Sequence, residues 1–532
     1  MKKIFLILII FISVSSIISA QSNEDRINMN KFAMAYSAIT RLYVDDTKNT
    51  DIIEGAIIAM LEKLDPHSSY TNAEETRRMN EPLEANFDGI GIQFNMLTDT
   101  LYVIQIIAGG PSEKVGLMAG DRIVMVDNTV IAGVKMSNND VINLIRGKKG
   151  TEVNIKVKRG SIPELLSFKI LRDVIPVYSI DATYMADKET GYIRLSRFAQ
   201  SSSQEFEKAV SDLTKKGMKN LILDLQMNGG GYLHIAYELA DQFLDNGKIV
   251  VYTQGDKTKR SDAISTTKGL FESGKLVILV DESSASASEI VSGAVQDWDR
   301  GVIIGRRTFG KGLVQRPIEL PDSSMIRLTV ARYFTPSGRF IQKPYEKGNT
   351  YAYNHDLIDR YNKGELMSAD SIHFPDSLKY NTLVSNRTVY GGGGIMPDVF
   401  IPIDSTRSTE YHAKLVRLGL VNRVAMNYID KKRQELNKKY PNINKYKESF
   451  QITEDILQDL IGLADEDKIE FNEEQFNKSK EYISLQIKAL IARDLFDMSE
   501  YFQIINDKND SYQKALKIIN NDEQYHKILK GT

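Results

Sequence analysis

Two short stretches hold the residues best suited to chemistry: Ser286, in SSASASEI, and Lys311, in TFGKG. A serine hydroxyl is a weak nucleophile until a base takes its proton. A desolvated lysine amine is one of the few side chains besides histidine that can do this near neutral pH. The pair points to acyl transfer without histidine. Ser286 also has an ordinary reading, because Glu289 and the apolar set Ile290, Val291, Ala294 and Val295 after it spell a helix capping box. The run KLVILVD, Lys275 to Asp281, reads as a buried parallel strand. A serine between that strand and a helix sits at the carboxyl edge of a sheet, where open α/β sheets bind ligands.

Lys311 invites a competing reading. GRRTFGKG, Gly305 to Gly312, matches a phosphate-binding loop through its lysine, but Gly312 stands where Ser or Thr must hold magnesium. The continuation LVQRPIEL reads as a strand and not as the helix whose amino end would face the phosphate. If the strand begins at the lysine, Lys311, Leu313 and Gln315 share one face, and the Gln315 amide oxygen is placed to hold the amine. A third element, NLILDLQMNGGGYL from Asn220 to Leu233, reads as strand, glycine turn and helix. Gly229, Gly230 and Gly231 expose backbone N–H groups that could bind phosphate, close a tight turn or stabilise an oxyanion.

Together with LDPHSSY (Leu64 to Tyr70), FDGIGIQF (Phe87 to Phe94), ARYFTPSGRFIQ (Ala331 to Gln342) and GGIMPDV (Gly393 to Val399), these stretches resemble the carboxyl-terminal processing peptidases, or tail-specific proteases. The resemblance implies that Ser286 is the nucleophile, Lys311 the general base and Gln315 the residue that orients the lysine. It makes the backbone N–H groups of Gly230, Gly231 and Ala287 the oxyanion donors. Two departures lie in the glycine turn, where Gln226 and Gly229 replace the family's usual arginine and proline. The mechanism then requires Lys311 to be desolvated and free of a carboxylate partner, since a solvated lysine near 10.4 holds its proton too tightly. An acid pairing with Lys311 would switch the enzyme off.

The elements that must position these residues follow from patterning. Residues 21–86 carry helical periodicity, as in IIEGAIIAMLEKL, Ile52 to Leu64. Residues 87–173 alternate short strands with turns around the amphipathic NDVINLIRG, and with GGPSEKVGLMAGD they resemble a PDZ domain. Such a domain adds a peptide to an open sheet edge and holds its terminal carboxylate on backbone N–H groups. The resemblance assigns Gly89, Ile90, Gly91 and Ile92 to the carboxylate loop and Ile142 to the neighbouring apolar pocket. It gives Arg146 a coupling role between this domain and the protease, against the plain reading of a solvated residue at a helix end. Residues 174–403 alternate apolar strands and helices and are expected to form a crotonase-like α/β peptidase core, interrupted by an insertion of unpredicted course. Residues 404–532 are Lys/Glu/Asn-rich with helical spacing. The expected fold is therefore multidomain α/β, with a β-rich PDZ domain and helical amino- and carboxyl-terminal regions.

Composition excludes several classes. With 42% hydrophobic and 26% charged residues and a formal charge of −2, the chain is neither disordered nor suited to nucleic acid. No cysteine is present, so disulfides and lipid attachment at cysteine are excluded. The six histidines are scattered, and a metal or other cofactor is not expected. His234 offers a serine/histidine alternative without a matching acid. Met1 to Ala20, with Lys2 and Lys3 ahead of an apolar core, reads as a signal peptide, with an uncleaved anchor as the alternative. The sequence thus predicts an exported, periplasmic serine endopeptidase that acts on protein tails. The resemblance implies a homodimer built through the carboxyl-terminal helical region and an adaptor lipoprotein as a partner, and the leader implies no membrane span after cleavage. The rival is a non-catalytic tail-binding scaffold on the same fold.

Overall fold

The computed structural model describes residues 23–97, 99–107, 109–160, 162–266 and 269–531; the predicted signal segment lies outside them. At its centre is a six-stranded sheet in the order Ile180–Met185, Thr190–Leu195, Asn220–Asp224, Leu276–Val280, Val302–Gly305, Val399–Phe400. All neighbours pair in parallel except the first two. Every residue of Asn220–Asp224 and Leu276–Val280 is buried, which explains the unbroken apolar runs: a parallel strand covered on both faces has no solvent side to alternate with.

One face is covered by the helices Ser202–Lys215, Leu233–Asp241 and Ala287–Asp297, through Phe206, Leu213, Ile235, Leu239, Val291 and Val295. The other is covered by Tyr512, Ala515, Ile518 and Ile519 of the helix Asp510–Ile519, and by Tyr525 of Asp522–Lys530. Part of the carboxyl-terminal region therefore completes the protease core. The helices between Glu410 and Ile505 build a separate core of their own.

A second sheet forms the roof of the site. Its long strand Met325–Phe334 pairs with Leu313–Glu319, with Ile249–Gly255 and, through Ser69–Thr71, with the amino-terminal segment. The LDPHSSY stretch thereby joins the same sheet as the strand that follows Lys311. The insertion contains the helix Thr350–Asn362, whose buried Arg360 donates to the carbonyls of Arg307 and Thr308 just ahead of Lys311.

The PDZ-like sheet runs Ile92–Leu97, Thr100–Ile106, Arg122–Val126, Glu152–Lys158, Leu166–Leu171, and Glu152–Lys158 buries alternate residues as period two requires. Asn86–Gly89 pairs with Asp173–Pro176 in a two-stranded strap. Gly89 thus belongs to the strap and not to the binding sheet. Arg122 bonds Asp430 of the carboxyl-terminal helices at 2.8 Å. Among the described residues, no helix is long and apolar enough to cross a membrane.

Ile518 is fully buried against the sheet, so Ile518→Asp should place an unpaired carboxylate there and cost several kcal/mol. The expected result is a Tm lowered by many degrees in a thermal melt; an unchanged Tm would show that the helix does not cover the sheet.

Candidate active site

Ser286 immediately follows the buried strand and turn and immediately precedes the helix Ala287–Asp297. Its backbone has φ 55° and ψ −110°, a conformation that L-residues with a Cβ rarely adopt and that costs on the order of 1–3 kcal/mol. The buried Glu289 side chain holds it there. Oε2 accepts the N–H of Ser286 at 2.8 Å and that of Lys311 at 2.9 Å, while Oε1 accepts the N–H of Gly310 at 2.7 Å and the hydroxyl of Thr308 at 2.5 Å. Buried Tyr333, on the roof strand, sets its phenol between the carbonyl of Ser286, at 3.2 Å, and that of Lys311. The backbones at positions 286 and 311 are thus tied to the same two side chains.

Ser286, Lys311, Gln315, Gly230 and Gly231 line one cleft of about 650 Å³. Burial pushes the Lys311 amine below its ordinary pKa and the Arg327 cation adds to this, against the opposing charges of Glu289 and Asp65. No ion pair to the Lys311 amine is formed among the described residues. Burial pushes Glu289 up to about 7, against the pull of its four donors.

The glycine turn approaches the serine closely. A Cβ on Gly230, at φ 101°, would lie 2.9 Å from Ser286 Cβ and 3.0 Å from Ala287 N, and one on Gly231 would lie 2.1 Å from Phe198 O. Gly229 has open space around it, so the glycine at the usual proline position is not demanded by packing. The expectation for the oxyanion donors needs correction. Gly230 N–H already donates to Asn228 Oδ1 at 2.9 Å, which leaves Gly231 and Ala287 with N–H groups unpartnered among the described residues.

The expected bond from Gln315 to the lysine is not formed either. The strand starts at Leu313, and the extra residue of the register shift beside Gln315 is Val330 on the partner strand, which brings Gln315 opposite Thr329. The Gln315 amide instead donates to Thr329 Oγ1 at 3.4 Å. His234 follows Tyr232 and its ring packs 5.4 Å from that residue's ring, with no bond to Ser286.

Sequence reading saw Glu289 only as a cap and gave LDPHSSY no task. In the structure Asp65, Ser68 and Thr329 form one hydrogen-bonded group, and His67 Nε2 meets the Tyr353 hydroxyl at 2.8 Å. Burial and the Lys311 charge hold His67 down at about 4. The sequence signal was there, an Asp-Pro-His-Ser run ending a helix far from both catalytic stretches, but nothing in its spacing said which strand it would meet.

In the PDZ-like sheet, Ile92–Leu97 is an edge strand, and the N–H groups of Ile90 and Gly91 have no partner among the described residues. Ile142 is half-buried on the helix Asn138–Ile145. Arg146 pairs with Glu81 and lies over the Phe87 ring, 4.5 Å from its centroid.

Residues 189–348 match peptidase family S41, 89–170 a PDZ domain, 13–76 the "Activating protease CtpB N-terminal domain", and 411–497 a family of unknown function. The chain is 36% identical over 352 residues to a "Carboxy-terminal-processing protease" of Bartonella bacilliformis, covering 64% of this chain and 80% of that protein. It is 35% identical over 335 residues to a "Probable CtpA-like serine protease" of Staphylococcus aureus, covering 62% of this chain and 66% of the relative. Among solved structures, it is similar to the photosystem II D1 C-terminal processing protease at 29% identity, over 58% of this chain and 88% of that one, with a TM-score of 0.33.

Lys311→Met should raise stability at neutral pH. A depressed folded pKa means that folding opposes the charged form. That penalty is full below the folded pKa, shrinks above it and vanishes above the ordinary 10.5. The expected Tm gain at pH 7 should therefore fade as pH approaches 10.5; a Tm loss at pH 7 would mean that the amine has a stabilising partner. Glu289→Gln should do the opposite, because an amide replaces one acceptor oxygen by a donor facing N–H groups. A cost of about 2–4 kcal/mol is expected in denaturant unfolding.

Proposed function

The chain belongs to the carboxyl-terminal processing peptidases, serine-type proteases of family S41, and from that premise we propose that it is an exported endopeptidase that grips protein tails with its PDZ domain and cuts upstream with Ser286 and Lys311. One observation carries this reading: a strained serine and a desolvated lysine without an acid partner line the same cleft, each held by Glu289 and Tyr333.

The steps follow from the residues. Neutral Lys311 takes the Ser286 proton as the hydroxyl attacks a peptide carbonyl. The developing oxyanion is received by the free N–H groups of Gly231 and Ala287. Lys311 returns the proton to the leaving amine, and water releases the acyl group by the same route. The Gln315 amide, which donates to Thr329 in this structure, lines the same cleft and is the group proposed to orient the lysine. A substrate tail adds to the free edge of Ile92–Leu97, with its carboxylate on Ile90 and Gly91 N–H and an apolar side chain beside Ile142. Self-association belongs to the same proposal, but its support lies in the amino-terminal helix Asn23–Leu42, which buries no residue and exposes Phe32, Met34 and Leu42, and not in the carboxyl-terminal helical region expected from the sequence. Export to the periplasm rests on the leader at Met1 to Ala20.

Ser286→Ala should abolish peptide cleavage, by about 10⁴-fold or more in kcat, while tail binding measured by fluorescence anisotropy stays within about twofold of wild type. Equal cleavage by both proteins would transfer the role to another nucleophile or leave only the scaffold reading. In the wild type, kcat/KM should rise with pH through the lowered Lys311 pKa, because only the neutral amine accepts the proton.

A further inference from the structure

Asp65 accepts four hydrogen bonds: Oδ1 takes the N–H of His67 at 2.8 Å, the N–H of Ser68 at 2.9 Å and the hydroxyl of Thr329 at 3.0 Å, while Oδ2 takes the hydroxyl of Ser68 at 2.7 Å. Two of these donors are backbone N–H groups and have no other role. Ser68 Oγ itself accepts the N–H of Thr329 at 3.1 Å, so its own proton faces Asp65. The only hydroxyl proton of Thr329 is therefore committed to Asp65, and Thr329 Oγ1 can only accept from any further neighbour.

That neighbour is the Gln315 amide, whose Nε2 lies 3.4 Å away. Gln315 has one donor end and one acceptor end. With the donor end engaged by Thr329, the acceptor end is left for another partner, and Gln315 lines the same cleft as Lys311. The group is near enough to Lys311 for charge to be felt in both directions: Asp65 raises the lysine pKa, and the lysine lowers that of His67.

We propose that Thr329 and Asp65 are positioning residues that fix which end of the Gln315 amide faces the lysine. Asp65 orients the Thr329 hydroxyl, Thr329 orients the amide, and the amide offers oxygen to the amine. A flipped amide would instead point N–H donors at a nitrogen whose free lone pair is needed to take the serine proton. This inference rests on Ser286 and Lys311 acting as nucleophile and base. It also gives the Asp-Pro-His-Ser run a task in catalysis.

The test compares Thr329→Val, which keeps the shape and removes the hydroxyl, with Thr329→Ser, which keeps the hydroxyl. Each is made in the full-length protein with wild-type Gln315 and with Gln315→Ala, and kcat and KM are measured against pH on a tail-bearing peptide. Thr329→Val should lower kcat by roughly 10- to 100-fold with KM within about twofold. It should also move the acidic limb of kcat/KM to lower pH, because losing an acceptor disfavours the charged amine. Thr329→Ser should restore both. On the Gln315→Ala background, Thr329→Val should cost nothing further, since it acts through the amide. The proposal is overturned if Thr329→Val keeps the wild-type limb, if Thr329→Ser fails to rescue, or if the two losses multiply. Failure of the underlying reading looks different: Ser286→Ala or Lys311→Met would then retain cleavage. Thermal melts of each variant separate misfolding from misorientation, and the rescue by Thr329→Ser holds whether or not the valine variant is less stable.

Discussion

A single buried carboxylate holds this site together. Glu289 takes the backbone N–H groups of Ser286 and Lys311 on one oxygen, so the two residues cannot separate without breaking hydrogen bonds to a buried group. A hydrogen bond contributes about 0.5–1.5 kcal/mol, so two or three of them together offset the strain of a serine at φ 55°. Tyr333 repeats the arrangement on the carbonyl side. The helix that carries Glu289, the roof strand that carries Tyr333 and the glycine turn packed against Ser286 Cβ are therefore parts of one constraint. A Cβ at Gly230 would push against the serine itself, which is why this turn needs glycine for space as well as for its φ of 101°.

Several cations buried elsewhere are paired with acids where Lys311 is not. Arg339 and Asp297 form a fully buried pair; Arg387 lies between Asp299 and Asp398; Lys343 reaches Asp356 and stacks over Phe309 and Tyr353. Each of these cations has its counter-charge, as burial demands. Lys311 does not. Glu289, the acid that acts on it most strongly, is engaged by four donors, two of them the N–H groups of Gly310 and of Lys311 itself. Asp65 is likewise occupied by Ser68, His67 and Thr329. The site has acids near the lysine, yet each is committed to other donors, which keeps their ion-pairing oxygens away from the amine and lets burial lower its pKa.

The sequence showed the strand, the serine-to-helix junction and the glycine turn because each is local: an apolar run, a capping pattern and three glycines all signal within a few residues. It failed where the answer depended on a partner across the fold. The face shared by Lys311 and Gln315 was argued from a regular strand, but a register shift beside Val314 moves the glutamine to Thr329. Gly230 looked like a free donor because the side chain that claims its N–H, Asn228, is read as turn composition until the turn is folded. Glu289 was legible as a cap, and it is one, since it accepts the N–H of Ser286. Its reach to Gly310 and Lys311 crosses two elements and leaves no periodic trace. The insertion stayed opaque for the same reason: helix Thr350–Asn362 is anchored by Tyr353 and Arg360, whose partners lie in other segments.

The wall of the cleft also depends on the tail-binding domain. Met79, Asn80, Pro82 and Leu83 line the cleft, and Asn80 accepts from Arg327, the cation that helps to depress Lys311. The residue between Asn80 and Pro82 is Glu81, which is held by Arg146 at the end of the PDZ helix. Arg146 also rests on Phe87, in the strap that joins the two domains. An ion pair about one-quarter exposed contributes modestly to stability, so its weight lies in placement. Glu81 ties the end of the PDZ helix to the chain segment that lines the cleft and meets Arg327. Arg146, Glu81 and Asn80 thus link the end of the PDZ helix to Arg327, the cation that acts on the Lys311 amine.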